Sequence, residues 1–403
     1  MPPARILIID PGLRVGEGHH LGVDTTLGAA AVALGHEPIV LAHARSPLKS
    51  LTQGDATIPV LPAFPHSIYL GNEDRTYEDL ELVNKKARQQ LIDLGDSLFR
   101  EPVRVLIHTT NETQVLGVAQ WLCENMESSP RRITSAVVAL MFPPPIERTT
   151  DGIKEKNPAV CKIYSRAIRL LASVPGVSVL GIGYTVAEDH TISSGVNVEV
   201  GGALVAGIGR PIKREPPSNQ PTVLLYMGDA KIDKGFHILP EIVRQLRRSE
   251  VNANFVIHAS GSMVERYSWI MDALVLAIGD DARFDLKRGR LSEEEFHGLW
   301  DSADLALLAY HPGVYARKTS GICWDAINTG IPVIAVENTW HMLELERYGH
   351  PVVASPAFLP EPLVEALLCG IGMLPSLYHD AQKSRDRFLK ENDPKMYIER
   401  LFQ

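Results

Sequence analysis

The sequence predicts an α/β protein built from two doubly wound, Rossmann-like domains. Three observations carry this expectation: a buried apolar run at residues 6–10 leads through a Gly-containing loop into a helical pattern; a proline-rich polar stretch at 208–221 is followed by a restart of that pattern; and residues 304–336 spell a complete strand–helix–strand unit. Short apolar runs bounded by turn residues read as strands covered on both faces, the mark of a parallel sheet between helices. A chain of 403 residues has room for about two or three such domains.

Taken in order, the first strand ends at Asp10 and the loop Pro11 to His20 carries Gly12, Gly16 and Gly18. A helix through Leu27, Ala30, Ala31 and Leu34 stops at Gly35-His36, and a second strand covers 38–42. Residues 43–76 hold Pro47, Pro59, Pro62 and Pro65 and read as loop. Residues 77–100 read as a helix whose Lys85, Lys86 and Arg88 are diluted by Glu78, Asp79, Glu81, Asp93 and Asp96. A solvated face therefore outweighs a membrane foot, although peripheral membrane contact stays open. The strand 103–107 runs into His108, Thr109, Thr110 and Asn111, polar groups at the lip of a parallel sheet, where ligands bind. A strand at 133–142 precedes a long polar loop at 143–156, then a basic helix (Lys162, Arg166, Arg169) and a strand at 177–182.

Beyond the linker, the strand 223–227 leads into Gly228-Asp-Ala-Lys231-Ile-Asp-Lys234-Gly235. A strand at 254–258, a strand and turn around 283–291, and a capping-box start at Ser292-Glu-Glu-Glu295 follow. In the strand–helix–strand unit, Thr319-Ser320-Gly321 opens the helix, and Gly330 and Pro332 mark the turn that closes it. A helix opening of that kind offers free N–H groups and a positive dipole end to a phosphate. Asp325, further along, is within reach of a hydroxyl on whatever carries it. The boundaries expected are 1–210, 211–385 and a final helical segment at 386–403.

Composition excludes several classes. A net charge of −8 and a pI near 6.0 argue against a nucleic-acid binder. Cys123, Cys161, Cys323 and Cys369 are far apart, form no C-x-x-C pair, and suit a reducing, cytoplasmic compartment better than a disulfide framework or a zinc site. The strand starting at residue 6 leaves no space for a signal peptide, and the longest apolar candidate, 359–375, is broken by Pro360, Glu361, Pro362 and Glu365, so no transmembrane span is expected. The first loop is neither G-x-G-x-x-G nor a P-loop, which argues against a dehydrogenase or a P-loop enzyme.

Ser320-Gly321, Asp325-Ala326 and Gly330-Ile331-Pro332-Val333 resemble the donor-site signature of the retaining GT-B glycosyltransferases, the large bacterial glycosyltransferase group 1 (family 4-like). Lys234-Gly235 resembles that family's second signature, and Leu34-Gly35-His36 resembles the end of its first helix. Linked motifs span residues 226–336. The resemblance implies a GT-B fold, two Rossmann-like domains facing across a cleft, with the acceptor on the first and a nucleotide-diphosphate sugar on the second. It further implies transfer with retention; cations and helix N–H groups on the diphosphate, with no Asp-x-Asp at a strand end, make a metal unnecessary, and no cofactor is expected. By position it assigns His108 to catalysis, Lys234 and the loop of Gly18 to the donor diphosphate, Arg290 and Leu291 to the base, and His19, His20 and Asn111 to the acceptor side, the acceptor being a carbohydrate, a lipid-linked or a small molecule. The residues themselves add Lys231, Arg317 and Lys318 and the helix opening Thr319, Ser320 and Gly321 to the diphosphate, and Asp325 to the ribose.

Two positions depart from the family. Asp229 stands where it has an Arg, and Arg317 where it has the first Glu of its acidic pair. One relocation of positive charge, from the first loop to Arg317 and Lys318, accounts for both. The competing expectation is a catalytically inactive GT-B scaffold that binds a glycan or a partner. A pyridoxal-dependent phosphorylase or an epimerase is a weaker alternative.

Overall fold

The computed structural model describes residues 3–14, 18–66, 75–127, 132–150, 152–210, 212, 217, 219–261 and 263–403. Gly16 of the first loop, Asp151 and part of the expected linker (Pro211, 213–216, Ser218) lie outside them. The chain divides into two units, residues 1–208 with 392–403, and residues 209–391.

The first unit is an eight-stranded sheet. Its strands are β1 (Arg5–Asp10), β2 (Glu37–His43), β3 (Ser50–Gln53), β4 (Ala56–Phe64), β5 (Val103–Thr110), β6 (Ile133–Leu140), β9 (Val177–Ile182) and β10 (Glu199–Gly201), while β7 (Ile146–Thr149) and β8 (Gly152–Glu155) form a separate hairpin. The order is β10-β9-β6-β5-β1-β2-β4-β3, parallel except for the β3–β4 pair. Ile6, Leu7, Ile8 and Ile9 are sealed on both faces, as a central parallel strand must be. The helix Tyr77–Ile92 starts at a capping box of Thr76 and Asp79, and Pro158–Ala172 starts with Asn157 as cap and Pro158 at its first position.

The structure corrects the reading of two segments. The proline-rich stretch 43–76 contains the hairpin β3–β4, because Ile58 and Val60 alternate into the core while Pro59 and Pro62 fall on the partly exposed face of strands near the sheet edge. The polar loop 143–156 likewise contains the β7–β8 hairpin.

The second unit is a six-stranded, all-parallel sheet of β11 (Thr222–Asp229), β12 (Asn254–Ser260), β13 (Phe284–Arg288), β14 (Leu305–Leu308), β15 (Val333–Val336) and β16 (Val352–Ser355), ordered β13-β12-β11-β14-β15-β16. Counted within the unit this is the Rossmann order 3-2-1-4-5-6. Its core is made by β11, β12, β14 and β15 with the helices Leu239–Arg248, Ser268–Ile278 and the start of Pro360–Glu391. The expected segment at 386–403 does not begin with its own helix. Pro360–Glu391 runs unbroken for 32 residues, and a six-residue helix, Lys395–Arg400, follows and packs with the first unit, where Tyr397 Oη donates to the Gly202 carbonyl at 2.6 Å. Among the described residues, no helix is long and apolar enough to cross a membrane.

Candidate functional site

In an open α/β sheet, ligands bind outside the carboxyl ends of the strands where the strand order reverses. In the first unit that point is β1 beside β5; in the second it is β11 beside β14. Each holds a cluster of polar side chains.

In the first unit, Asp10 ends β1 fully buried. Its Oδ1 accepts the Gly12 N–H at 2.8 Å, and its Oδ2 lies 2.6 Å from His20 Nδ1 and 3.6 Å from His108 Nε2. His108 Nε2 is also 2.9 Å from Asp24 Oδ1, and its Nδ1 is 2.8 Å from Thr109 Oγ1. A Cβ on Gly12 would lie 2.2 Å from the His20 ring, so only glycine lets the loop close over that imidazole. Asp24 stands one turn beyond His20 on the helix His19–Ala33, so both reach the same strand end.

Burial and charge sort these groups. Burial pushes the Asp10 carboxyl up, but the imidazoles of His20 and His108 together bring it below the usual carboxylate range. Burial and the Asp10 charge both push Asp24 well up, so of the two acids it holds its proton to the higher pH. Burial takes His108 down to about 4, partly resisted by Asp10. Asp10, Asp24 and His108 each bring one donor atom within 4.8 Å of the others, the only such group among the described residues that could hold a metal ion. The His20–Asp10 and His108–Asp24 separations are those of hydrogen bonds.

The expected residues of this unit divide accordingly. His108 and His20 come together; His108 is fully buried with both ring nitrogens engaged, and the His20 side chain keeps 14% exposure. His19 and Gly18 are exposed at the helix start, Gly18 with φ 87°. Asn111 turns inward, its Oδ1 accepting from the Thr113 N–H and hydroxyl, which makes it a turn-former.

In the second unit, the loops after β11 and β14 are joined where the His311 N–H donates to the Asp233 carbonyl at 2.8 Å. Gly235 has φ 82°, and a Cβ there would lie 2.4 Å from the Ala309 carbonyl oxygen. The loops therefore meet at backbone contact. The Tyr226 hydroxyl donates to the Asp229 carbonyl and accepts the Lys231 N–H, which fixes the first loop. Lys231 Nζ is 3.3 Å from Asp229, Lys318 Nζ is 4.0 Å from Asp233 and 4.9 Å from the centre of the Tyr315 ring, and Lys234 Nζ is 5.6 Å from that of Tyr310. Burial lowers the pKa of Lys234, and burial with the charges of Lys231 and Lys234 lowers that of Lys318. An anion among these lysines would relieve that repulsion. With Arg317 the loops carry four cations against Asp229 and Asp233, a local excess of two positive charges.

Ser320 caps the helix Gly321–Thr329 with its backbone but makes no side-chain cap bond, and Thr319 precedes it half-buried. The N–H groups of that first turn point outward from the helix end. Asp325, one turn in, keeps a partial opening to solvent, and burial raises it to about 7 against the pull of Arg210. Arg290 and Leu291 lie beyond β13 on a turn held by His258, whose Nε2 lies 2.8 Å from the Gly289 carbonyl oxygen. Arg290 is exposed and Leu291 half-buried.

Sequence reasoning missed Asp10 and Asp24 as members of a site, although an acid at a strand end and another four residues beyond a histidine are readable signals. It also missed the aromatic wall of Tyr310, Tyr315 and His341, with ring centres 4.5 Å apart for Tyr310–His341 and 5.5 Å for Tyr315–His341. Nothing in the local sequence announces that wall, because it joins the segment after β14, with the short helix Pro312–Tyr315, to the helix Trp340–Tyr348.

No family model matches the chain, and no curated protein does. Solved structures do. A sucrose-phosphate synthase from Thermosynechococcus elongatus superposes with a TM-score of 0.64 at 13% identity, covering 99% of this chain and 98% of that one. A trehalose-6-phosphate synthase from E. coli, bound with UDP-2-fluoro glucose, gives 0.60 at 12% identity over 99% of both chains. The Anabaena protein HepE, in complex with UDP, gives 0.62 at 13% identity over 98% and 97%. The fold is GT-B. Both halves of a GT-B chain are Rossmann-like, and in this one each half carries its polar cluster at its own switch point. At these identities the GT-B likeness concerns architecture, so chemistry has to be argued from the residues.

Proposed function

We propose that the protein is a glycosyltransferase that uses a nucleotide-diphosphate sugar, retains the anomeric configuration and works without metal. The observation that carries the proposal is the convergence of Lys231, Lys234 and Lys318 beside the N-terminus of the helix Gly321–Thr329 at the β11/β14 switch point. A diphosphate leaving group needs its developing charge stabilised, and fixed cations with helix N–H groups do this without Mg²⁺. Similar architectures solved with UDP and a UDP sugar support that choice of donor.

In the reaction, the bond from the anomeric carbon to the diphosphate oxygen breaks and its electron pair leaves with the diphosphate. A bond forms from that carbon to the acceptor oxygen on the same face, and the acceptor proton passes to the departing diphosphate oxygen. Lys231, Lys234, Lys318 and Arg317, with the backbone of Thr319, Ser320 and Gly321, take the diphosphate. Asp325 takes the ribose hydroxyls, and Arg290 and Leu291 flank the base. His108 is proposed to act on the donor through its neighbours, since its own nitrogens are engaged; His19, His20 and Asn111 border the acceptor. Four free cysteines suit a cytoplasmic protein, with no cofactor required.

The Lys231–Asp229 ion pair at 3.3 Å supports a second reading, a GT-B scaffold that no longer turns over. Donor hydrolysis in the absence of acceptor, followed by proton NMR of the released sugar, separates the two. Turnover with first appearance of the donor's own anomer supports the enzyme. No turnover with any nucleotide sugar supports the scaffold.

A further inference from the structure

The first unit contains a cavity of about 290 Å³ on the face of the sheet opposite the Asp10–His108 cluster. Side chains alternate along a strand. Asp10 and His108 point to one face, and their neighbours Ile9 and Ile107 line the cavity on the other. Phe64 from β4 and Val83 and Ala87 from the helix Tyr77–Ile92 complete an apolar lining, with exposed Lys86 among the lining residues. The volume lies near the lower end of the roughly 300–1,000 Å³ of small-molecule sites. At about 30 Å³ for a water-sized group it takes roughly ten of them.

The cavity opens to solvent at its rim, where His66 and Lys86 are exposed, so its apolar floor is wet and gains by being covered with an apolar group. Away from the cavity this core is tightly closed: Trp121, Tyr164, Ile6, Leu7 and Ile8 are at most 1% exposed. The space sits at the carboxyl ends of β1 and β5, and Pro11, Thr113 and Gln114 from the loops and the helix start after those strands also line it. Continuity with the switch point distinguishes it from a packing defect deep in a core.

We propose that this cavity binds the apolar body of the acceptor, so that the sugar is transferred to an amphiphile of about ten apolar heavy atoms whose hydroxyl end remains at the strand ends. The assignment rests on the transferase reading and names its acceptor class. Lys86 favours an acceptor with an anionic group at the polar end.

The test uses methyl β-D-glucoside and octyl β-D-glucoside, the latter below its micelle concentration, as paired probes binding to the full chain in calorimetry. The octyl compound should bind at least tenfold more tightly, and Ala87→Trp, which fills the space, should remove the difference. Equal binding of the two probes to the wild-type chain overturns the proposal without any variant. So does a preference that survives both Ala87→Trp and the smaller filling change Val83→Phe in samples that melt cooperatively. UDP titrated into the same samples reads the donor site separately. Lost UDP binding with the alkyl preference intact contradicts the transferase reading and leaves the apolar site standing, whereas the reverse overturns only the cavity.

Discussion

His20 Nδ1 lies 2.6 Å from Asp10 Oδ2, and Asp10 is fully buried. His20 and His108 together hold this carboxyl below the usual range, while burial and the Asp10 charge push that of Asp24 beside it well up. The two acids of this cluster are therefore chemically unequal, and substitution should reveal it. Asn is a near-isostere of a protonated Asp. Asp24→Asn is expected to cost less than about 1 kcal/mol, whereas Asp10→Asn, which strips a buried charge from its partners, should cost about 3–5 kcal/mol. Urea denaturation of the two variants checks this; equal losses would contradict the protonation assignment.

The Asp325 carboxyl gives a pH signature. Burial raises it to about 7 from an ordinary value of 3.8, so the folded chain holds this proton more tightly than the unfolded chain. The folded state then binds more protons between those values, and its stability from this group declines as pH rises from about 4 to about 7, then levels. Asp325→Asn removes the decline. The melting temperature of the variant relative to wild type should rise across that window and stay constant above it; a gap independent of pH would show that the carboxyl is not perturbed.

Gly235 couples fold to site. Its φ is positive, and an added Cβ would lie 2.4 Å from the Ala309 carbonyl oxygen, which leaves no space for alanine. Gly235→Ala should destabilise by about 1–3 kcal/mol and displace Lys234, weakening UDP binding more than the stability loss alone explains at a temperature where the variant is folded. Gly321→Ala is the control, since nothing stands within 4 Å of its Cβ; it should leave the fold intact.

The aromatic wall predicts a further effect. Among the described residues, both ring nitrogens of fully buried His341 have no hydrogen-bond partner, and burial, with Lys234 nearby, lowers its pKa to about 3. A buried unpaired polar group costs about 1–3 kcal/mol. His341→Phe keeps the ring packing against Tyr310 and Tyr315 and should leave the melting temperature unchanged or raised; a marked loss would mean that the nitrogens are satisfied in solution.

The second unit was the more legible in sequence. Its strands are short apolar runs with Gly and Pro at their ends, and Ser292 with Glu295, Gly330 and Pro332 mark helix limits that the structure reproduces. The β3–β4 hairpin was hidden because Pro59 and Pro62 signal a loop by composition, while Ile58 and Val60 make it a strand by burial. Periodicity places a residue on an element but not its partners across loops. Hence His20 and His108 were found as individual residues, whereas the shared carboxylate between them, and the pairing of Lys231 with Asp229, emerged only from the three-dimensional arrangement.

The central claim is that the β11/β14 switch point is a working diphosphate site. Calorimetric titration of the purified chain with UDP, GDP and ADP, repeated on Lys234→Ala, tests it directly. The account predicts that one diphosphate binds and that the variant binds it at least tenfold more weakly, a change of about 1.4 kcal/mol or more. Absence of binding by all three, or binding that Lys234→Ala leaves untouched, would contradict it.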